Sequence, residues 1–177
     1  MNIAAMDSST NSKLPAEIRG TLVTLRRARD RDLDLLAGWF ADREFVRWWG
    51  GVPLTRDDVA RKYIGRRPDV DSFIVEQAQT PIGYIQAWRK GDETGIDVVL
   101  RPEAQRRGLG IDAVRALACH LSLQRGYSRV TVDPLLANKR AIEAFAKAGF
   151  VPEREWLDHP DGPSLLMVFD ASKHRGA

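Results

Sequence analysis

A chain of 177 residues with 27 Lys and Arg against 24 Asp and Glu carries a formal charge of +3, and it is sized for a single domain of roughly 150 residues. Its 44% hydrophobic and 29% charged residues are globular proportions, which excludes wholesale disorder, and the longest strongly apolar run, Leu165 to Phe169, is far short of a membrane span of ~18 residues. A single cysteine, Cys119, and three scattered histidines, His120, His159 and His174, exclude an internal disulfide framework and a Cys-rich zinc site, so no metal is expected.

In chain order, Met1 to Lys13 is rich in Ser, Asn and Thr and has no charged start followed by an apolar stretch. It is not a secretory signal, and a reducing cytoplasm is the expected compartment. Residues 1–18 read as a disordered lead and 19–177 as one domain. Thr21 to Leu25 is β-rich and is expected to be a strand. Asp30 to Phe40 follows with Leu33, Leu36, Ala37 and Phe40 at helical spacing. Thr55 to Asp58 resembles a capping box before a short helix that ends near Gly65.

The period then changes to that of strands. Ser72 to Glu76 and Ile82 to Trp88 form an expected hairpin about Gln79-Thr80-Pro81. Arg89 to Gly95 reads as a polar connection, and Ile96 to Leu100 as a strand interrupted only by Asp97. A long helix runs from Leu109, with Ala113, Val114, Leu117 and Leu121 on its apolar face and Gly126 as its stop. Tyr127 to Val132 is a strand, and Asn138 to Ala148 a helix stopped by Gly149. Phe150 to Trp156 and Ser164 to Phe169 are strands flanking the turn His159 to Pro163. The order β-α-α-β-β-β-α-β-α-β-β implies one mixed sheet with helices on both faces, an α/β (α+β) fold.

Three features carry chemistry. Gln105-Arg106-Arg107-Gly108-Leu109-Gly110 follows a strand and opens a helix. Glycines let the backbone approach a ligand, and the free N–H groups of a helix start favour phosphate oxygens. Second, Asp97 sits mid-strand, where a carboxylate is costly unless it is paired or faces a cavity; Asp133 follows another strand, where a turn or cap residue is the ordinary reading. Third, Trp48-Trp49-Gly50-Gly51 is an aromatic pair followed by a flexible backbone. Cys119 and His120 are helix neighbours and cannot form a nucleophile–base pair. The charge is small and mixed, with no aromatic–basic platform, so neither nucleic acid nor membrane is an expected partner.

Together, Gln105 to Gly110 after Val98-Val99-Leu100, and Asn138, Ala141 and Ile142 with Lys147-Ala148-Gly149-Phe150, resemble the two conserved segments of the GCN5-related N-acetyltransferase (GNAT) superfamily. Within it the chain is similar to the aminoglycoside 6'-N-acetyltransferases at Trp48-Trp49-Gly50-Gly51, at Pro81 to Tyr84 with Gln86, and at Gly95-Ile96-Asp97. Further similarity lies at Asp133-Pro134 and at Pro160 to Pro163. The resemblance implies a GNAT fold, mostly antiparallel, and acetyl transfer from acetyl-CoA to the 6'-amine by direct attack. It implies cofactor contacts from the Val98, Val99 and Leu100 backbone, from the loop Gln105, Arg106, Arg107, Gly108, Leu109 and Gly110, and from Asn138 and Phe145. It places Asp97 and Asp133 at the acceptor amine, with Asp97 as general base, and Trp48, Trp49, Gln86 and Asp161 around the sugar rings.

Two departures stand out. The superfamily often carries a Tyr general acid where this chain has Phe145, and Tyr84 and Tyr127 are the nearest-looking phenols. The connection Arg89 to Gly95 is short, with Asp92 and Glu93 as partial replacements for acidic substrate contacts. A lysine or hydroxylysine derivative, a polyamine or another cationic amine is the alternative acceptor, and a non-catalytic CoA-binding module the alternative class. The expected state is a monomer or homodimer.

Overall fold

The computed structural model describes residues 14–91 and 93–174. Eight strands form one sheet: β1 (Glu17–Arg19), β2 (Thr24–Arg27), β3 (Val70–Gln77), β4 (Thr80–Lys90), β5 (Glu93–Leu100), β6 (Arg129–Val132), β7 (Phe150–Trp156) and β8 (Ser164–Phe169), in the spatial order β1-β2-β3-β4-β5-β6-β8-β7. Every pairing is antiparallel except β5 with β6. The α-helices are α1 (Leu33–Phe40), α2 (Arg56–Lys62), α3 (Leu109–Cys119) and α4 (Lys139–Ala148).

Strand alternation sends neighbouring side chains to opposite faces. On β3, Phe73 and Val75 join Ile85 and Ala87 of β4 in a core beneath α3, with Leu109, Ala113, Val114 and Leu117; Ile74 and Tyr84 instead pack with Leu36, Phe40 and Val59 of α1 and α2. Helices therefore cover both faces, as the sequence order implies. Each fully buried Leu or Phe contributes about 1.5–3 kcal/mol, so neither layer is optional. The expected capping box on α2 is present: Thr55 Oγ1 accepts from the Asp58 N–H at 3.2 Å, and the Thr55 N–H donates to Asp58 at 3.2 Å.

Several boundaries differ from the sequence reading. Residues 14–18, grouped there with the disordered lead, belong to the fold: Leu14 is only 4% exposed, its carbonyl accepts from the Arg27 guanidinium, and Ile18 is buried within β1. The rest of that lead, residues 1–13, lies outside the described residues. Arg89 to Gly95 is not a connection but the tip of a hairpin, where Arg89 pairs with Thr94 and Lys90 with Glu93; Lys90 and Glu93 are exposed, while Thr94 is buried and Arg89 turns back to Asp71. Asp92 lies outside the described residues. The long helix ends at Cys119 and widens into a π-helical turn, His120–Gln124, before Gly126 at φ +73°.

A buried carboxylate fastens the N-terminal hairpin. Asp112, in the first turn of α3, accepts the backbone N–H groups of Thr21, Leu22 and Val23 at 3.0, 2.7 and 3.0 Å. A Cβ at Gly20 would collide with that carboxylate. No helix among the described residues is long and apolar enough to cross a membrane.

Candidate active site

β5 is flanked along its whole length by β4, but its pairing with β6 covers only Glu93 to Gly95 against Arg129 to Thr131. Beyond Gly95 the two strands part, and a cleft of about 750 Å³ opens there. Ile96, Asp97 and Val98 of β5 line it, with Asp133, Pro134 and Leu135 after β6, Asn138, Ala141 and Phe145 of α4, and His159 to Asp161 of the β7–β8 turn. The segment after α1 supplies the opposite wall with Arg47, Trp48, Trp49, Gly50 and Gly51, and α2 and its end supply Lys62 and Tyr63.

Asp97 reaches the cleft because the alternation of β5 turns Ile96 and Val98 toward α3 and leaves Asp97 on the other face. The register places Gln86 opposite Asp97 and Ser72 opposite Gln86. Gln86 Nε2 donates to Asp97 Oδ2 at 2.8 Å, while the Tyr84 hydroxyl is hydrogen-bonded to Gln86 Oε1 at 3.1 Å and to Ser72 Oγ at 2.7 Å. This buried row fixes the orientation of the Gln86 amide and aims its N–H at Asp97. The cleft leaves Asp97 some surface accessible to solvent, yet protein encloses its carboxylate, and burial raises its pKa to about 6. The Gln86 hydrogen bond opposes that rise, and the charges of Asp133 and Asp161 add to it.

Asp133 and Asp161 come together because two loops are joined behind them. The Leu136 N–H donates to Pro163 O at 2.8 Å and the Leu165 N–H to Pro134 O at 2.9 Å. Asp133 therefore does more than cap a turn: its Oδ2 lies 3.2 Å from His159 Nε2.

Trp49 has a double role. It packs against Phe40, Tyr63 and Tyr84 at 5.7–5.9 Å between ring centres, and it also forms part of the cleft wall. Its indole N–H donates to the Tyr63 hydroxyl at 3.0 Å. Trp48 is 47% exposed at the rim, with the Arg47 guanidinium over its ring.

The second end of the site is built from backbone. After Leu100 comes a short turn, Pro102–Ala104, and then Arg106 at φ +60° and Gly108 at φ +77°, with α3 starting at Leu109. A left-handed conformation at Arg106 costs of order 1–3 kcal/mol, a signature of functional loops. The start of α3 that follows has no side-chain cap on its free N–H groups, and such a helix start favours an anion. The Gln105 side chain is turned inward: Nε2 donates to Leu100 O at 2.9 Å and Oε1 accepts from Arg140. Gln105 thus braces the loop. The Leu109 side chain is in the core, and so is that of Leu100; Val99 packs toward α1 and α2. Arg107 donates to Gln77 Oε1 at 3.0 Å. A Cβ at Gly110 would sit 3.4 Å from Leu100, so that glycine serves close packing of α3 on β5.

Of the residues singled out in the sequence, Trp48, Trp49, Gln86, Asp97, Val98, Asp133, Asn138, Phe145 and Asp161 share the cleft wall. Asn138 caps α4, its Oδ1 accepting from the Ala141 N–H at 3.2 Å. The phenol beside the cleft is neither of the two expected. Tyr84 is wholly buried beneath it, and Tyr127 packs against the core under α3. Tyr63 lines it instead, and burial raises the pKa of its phenol. Tyr63, His159, Arg47 and Lys62 are missed by sequence reasoning, since only folding brings them to the cleft. Cys119 packs against the α3 core, where burial pushes its thiol pKa up, and it does not line the cleft.

Known proteins are similar to this chain in sequence and fold. An aminoglycoside N(6')-acetyltransferase type 1 of Klebsiella pneumoniae is 36% identical over 166 residues, 82% of each chain. An AAC(6')-Ib solved in complex with paromomycin and acetyl-CoA superposes with a TM-score of 0.78 at 30% identity, covering 88% of this chain and 97% of that one. AAC(6')-Ib in complex with coenzyme A and kanamycin gives 0.77 at 29% identity, with 88% and 99% covered. The model of the acetyltransferase (GNAT) domain matches residues 23–151, and with the parted β5 and β6 and the glycine loop opening α3, this chain belongs to the GNAT acetyltransferase family.

Proposed function

We propose that this chain is an acetyl-CoA-dependent aminoglycoside N-acetyltransferase that acetylates the 6'-amine. The observation that carries the reading is the cleft between β5 and β6, which gathers Asp97, Asp133 and Asp161 on one wall. An aminoglycoside bears several ammonium groups, and grouped carboxylates recognise them. The relatives named above are 6'-acetyltransferases or carry aminoglycosides in their structures.

The residues fit the cofactor. The unpaired edge of β5 after Gly95 can pair its backbone with the amides of a pantetheine arm, and the N–H groups from Arg106 to Gly110 suit a pyrophosphate. Acetyl-CoA supplies the acetyl group as a thioester. Asp97 takes a proton from the acceptor ammonium, directly or through one water. With a pKa of about 6 it is ionised at neutral pH and still basic enough to assist. The freed amine attacks the thioester carbonyl carbon, the C–N bond forms, the C–S bond breaks, the sulfur leaves with its electron pair, and the remaining excess proton on nitrogen passes through water to the thiolate. A Val98 or Val99 N–H meets the charge that develops on the carbonyl oxygen. Asp133 and Asp161 hold further ammonium groups, and Trp49 and Trp48 face the rings.

The test is thiol release from acetyl-CoA with kanamycin, tobramycin and the 6'-hydroxyl compound paromomycin, beside spermidine and Nε-hydroxylysine. Turnover with the 6'-amines and none with paromomycin is expected. Turnover with spermidine or hydroxylysine alone would move the function to another cationic amine.

A further inference from the structure

His159 lies in the β7–β8 turn and touches both acidic loops of the acceptor wall. Its Nε2 is 3.2 Å from Asp133 Oδ2. Its Nδ1 accepts the backbone N–H of Asp161 at 3.1 Å. A ring nitrogen that accepts carries no proton, so this pattern leaves the ring proton to Nε2, the nitrogen that faces Asp133. The ring stands edge-on to Trp156, with centres 4.5 Å apart, and the Gly162 N–H closes the turn on His159 O at 2.9 Å. The imidazole thus links the β7–β8 turn to the loop after β6, with Nε2 against Oδ2 of Asp133.

We propose that His159 is a positioning residue that sets the spacing of Asp133 and Asp161, and so selects acceptors carrying a second ammonium group besides the one acetylated. The inference rests on the acetyltransferase reading above. Asp97 serves the reacting nitrogen; Asp133 and Asp161, held by His159, serve a neighbouring one. An acceptor with a single amine gains nothing from the pair.

Two measurements test this. In the free protein, a long-range ¹H–¹⁵N correlation of His159 is expected to show a protonated Nε2 and a bare Nδ1; the opposite tautomer overturns the proposal. In kinetics, wild type, His159→Ala and His159→Gln are compared with neamine, which has four amines, and methyl 6-amino-6-deoxyglucoside, which has one. His159→Ala is expected to lower kcat/KM for neamine tenfold or more, chiefly through KM. The loss for the monoamine should stay under threefold, and the shift in KM for acetyl-CoA under twofold. His159→Gln, which keeps a donor for Asp133, should recover most of the neamine activity; it also replaces the alanine variant if that fails to fold. Equal losses for both acceptors, a loss in kcat alone, or no loss would overturn the role. A wild type inactive on both sugars but active on another amine sinks the aminoglycoside reading instead, while the tautomer still decides the His159 contacts.

Discussion

The two ends of the proposed site are made of different materials. The end at α3, outside the cleft lining, is backbone: the edge of β5 that faces away from β4 and lacks β6 after Gly95, a loop with left-handed turns at Arg106 and Gly108, and a helix start. The other end is side chains from separate elements: Asp97 on β5, Asp133 after β6, Asp161 and His159 in the β7–β8 turn, and Trp49 and Tyr63 across the cleft. A backbone site reads a group every reaction shares, so almost any side chain can decorate it. A side-chain site reads what differs between acceptors, and each of its members can be exchanged singly.

If that division holds, substitutions at one end should leave the other end's constants nearly untouched. The largest effect is expected from Asp97→Asn, which removes the proposed base while keeping shape: kcat/KM should fall about 100-fold or more, with acetyl-CoA affinity retained in titration calorimetry. Near-native turnover would remove Asp97 from the mechanism. At the backbone end, Gly108→Val forces a β-branched residue to φ +77°. The nearest protein atom is 4.0 Å from a Cβ there, so the cost is conformational rather than a clash. KM for acetyl-CoA should rise about tenfold, ~1.4 kcal/mol, with acceptor KM little changed and circular dichroism confirming the fold.

The pH profile sharpens the same comparison. A base works only when deprotonated, so wild-type kcat/KM should fall as pH drops through about 6, the pKa of Asp97. Gln86→Leu removes the hydrogen bond that lowers that pKa, so this limb should move toward higher pH; a limb that stays in place would exclude Asp97 as its source. The smallest effect is expected at Phe145, which offers the departing sulfur no proton. Phe145→Tyr supplies a phenol and should raise kcat by about threefold or less, measured at saturating acetyl-CoA.

The same division explains what was legible in the sequence. The phosphate loop is contiguous, so six successive residues announce it. β7 and β8 follow from their hydrophobic runs and the Pro-Asp-Gly-Pro turn between them. β1 left no trace, because Glu17–Arg19 buries only Ile18. The Arg89 to Gly95 hairpin tip looked like a loop because its residues are polar or Gly, while the pairing that makes it strand is invisible to composition. At the acceptor end Asp97 was conspicuous as a charge in an apolar strand. His159 and Tyr63 were not, since their meaning depends on neighbours 26 and 14 residues away, Asp133 and Trp49.

The Asp112 fastening has a consequence for how the chain tolerates shortening. Its carboxylate is engaged by three amides of the β1–β2 turn, and it sits in the first turn of α3, four residues beyond the glycine of the phosphate loop. Shortening the chain past Val23 would strip those amides from the Asp112 side chain and remove the buried side chains of Leu14, Ile18 and Val23 with them. The N-terminal hairpin is thus part of what seats the start of α3, the turn that follows the phosphate loop.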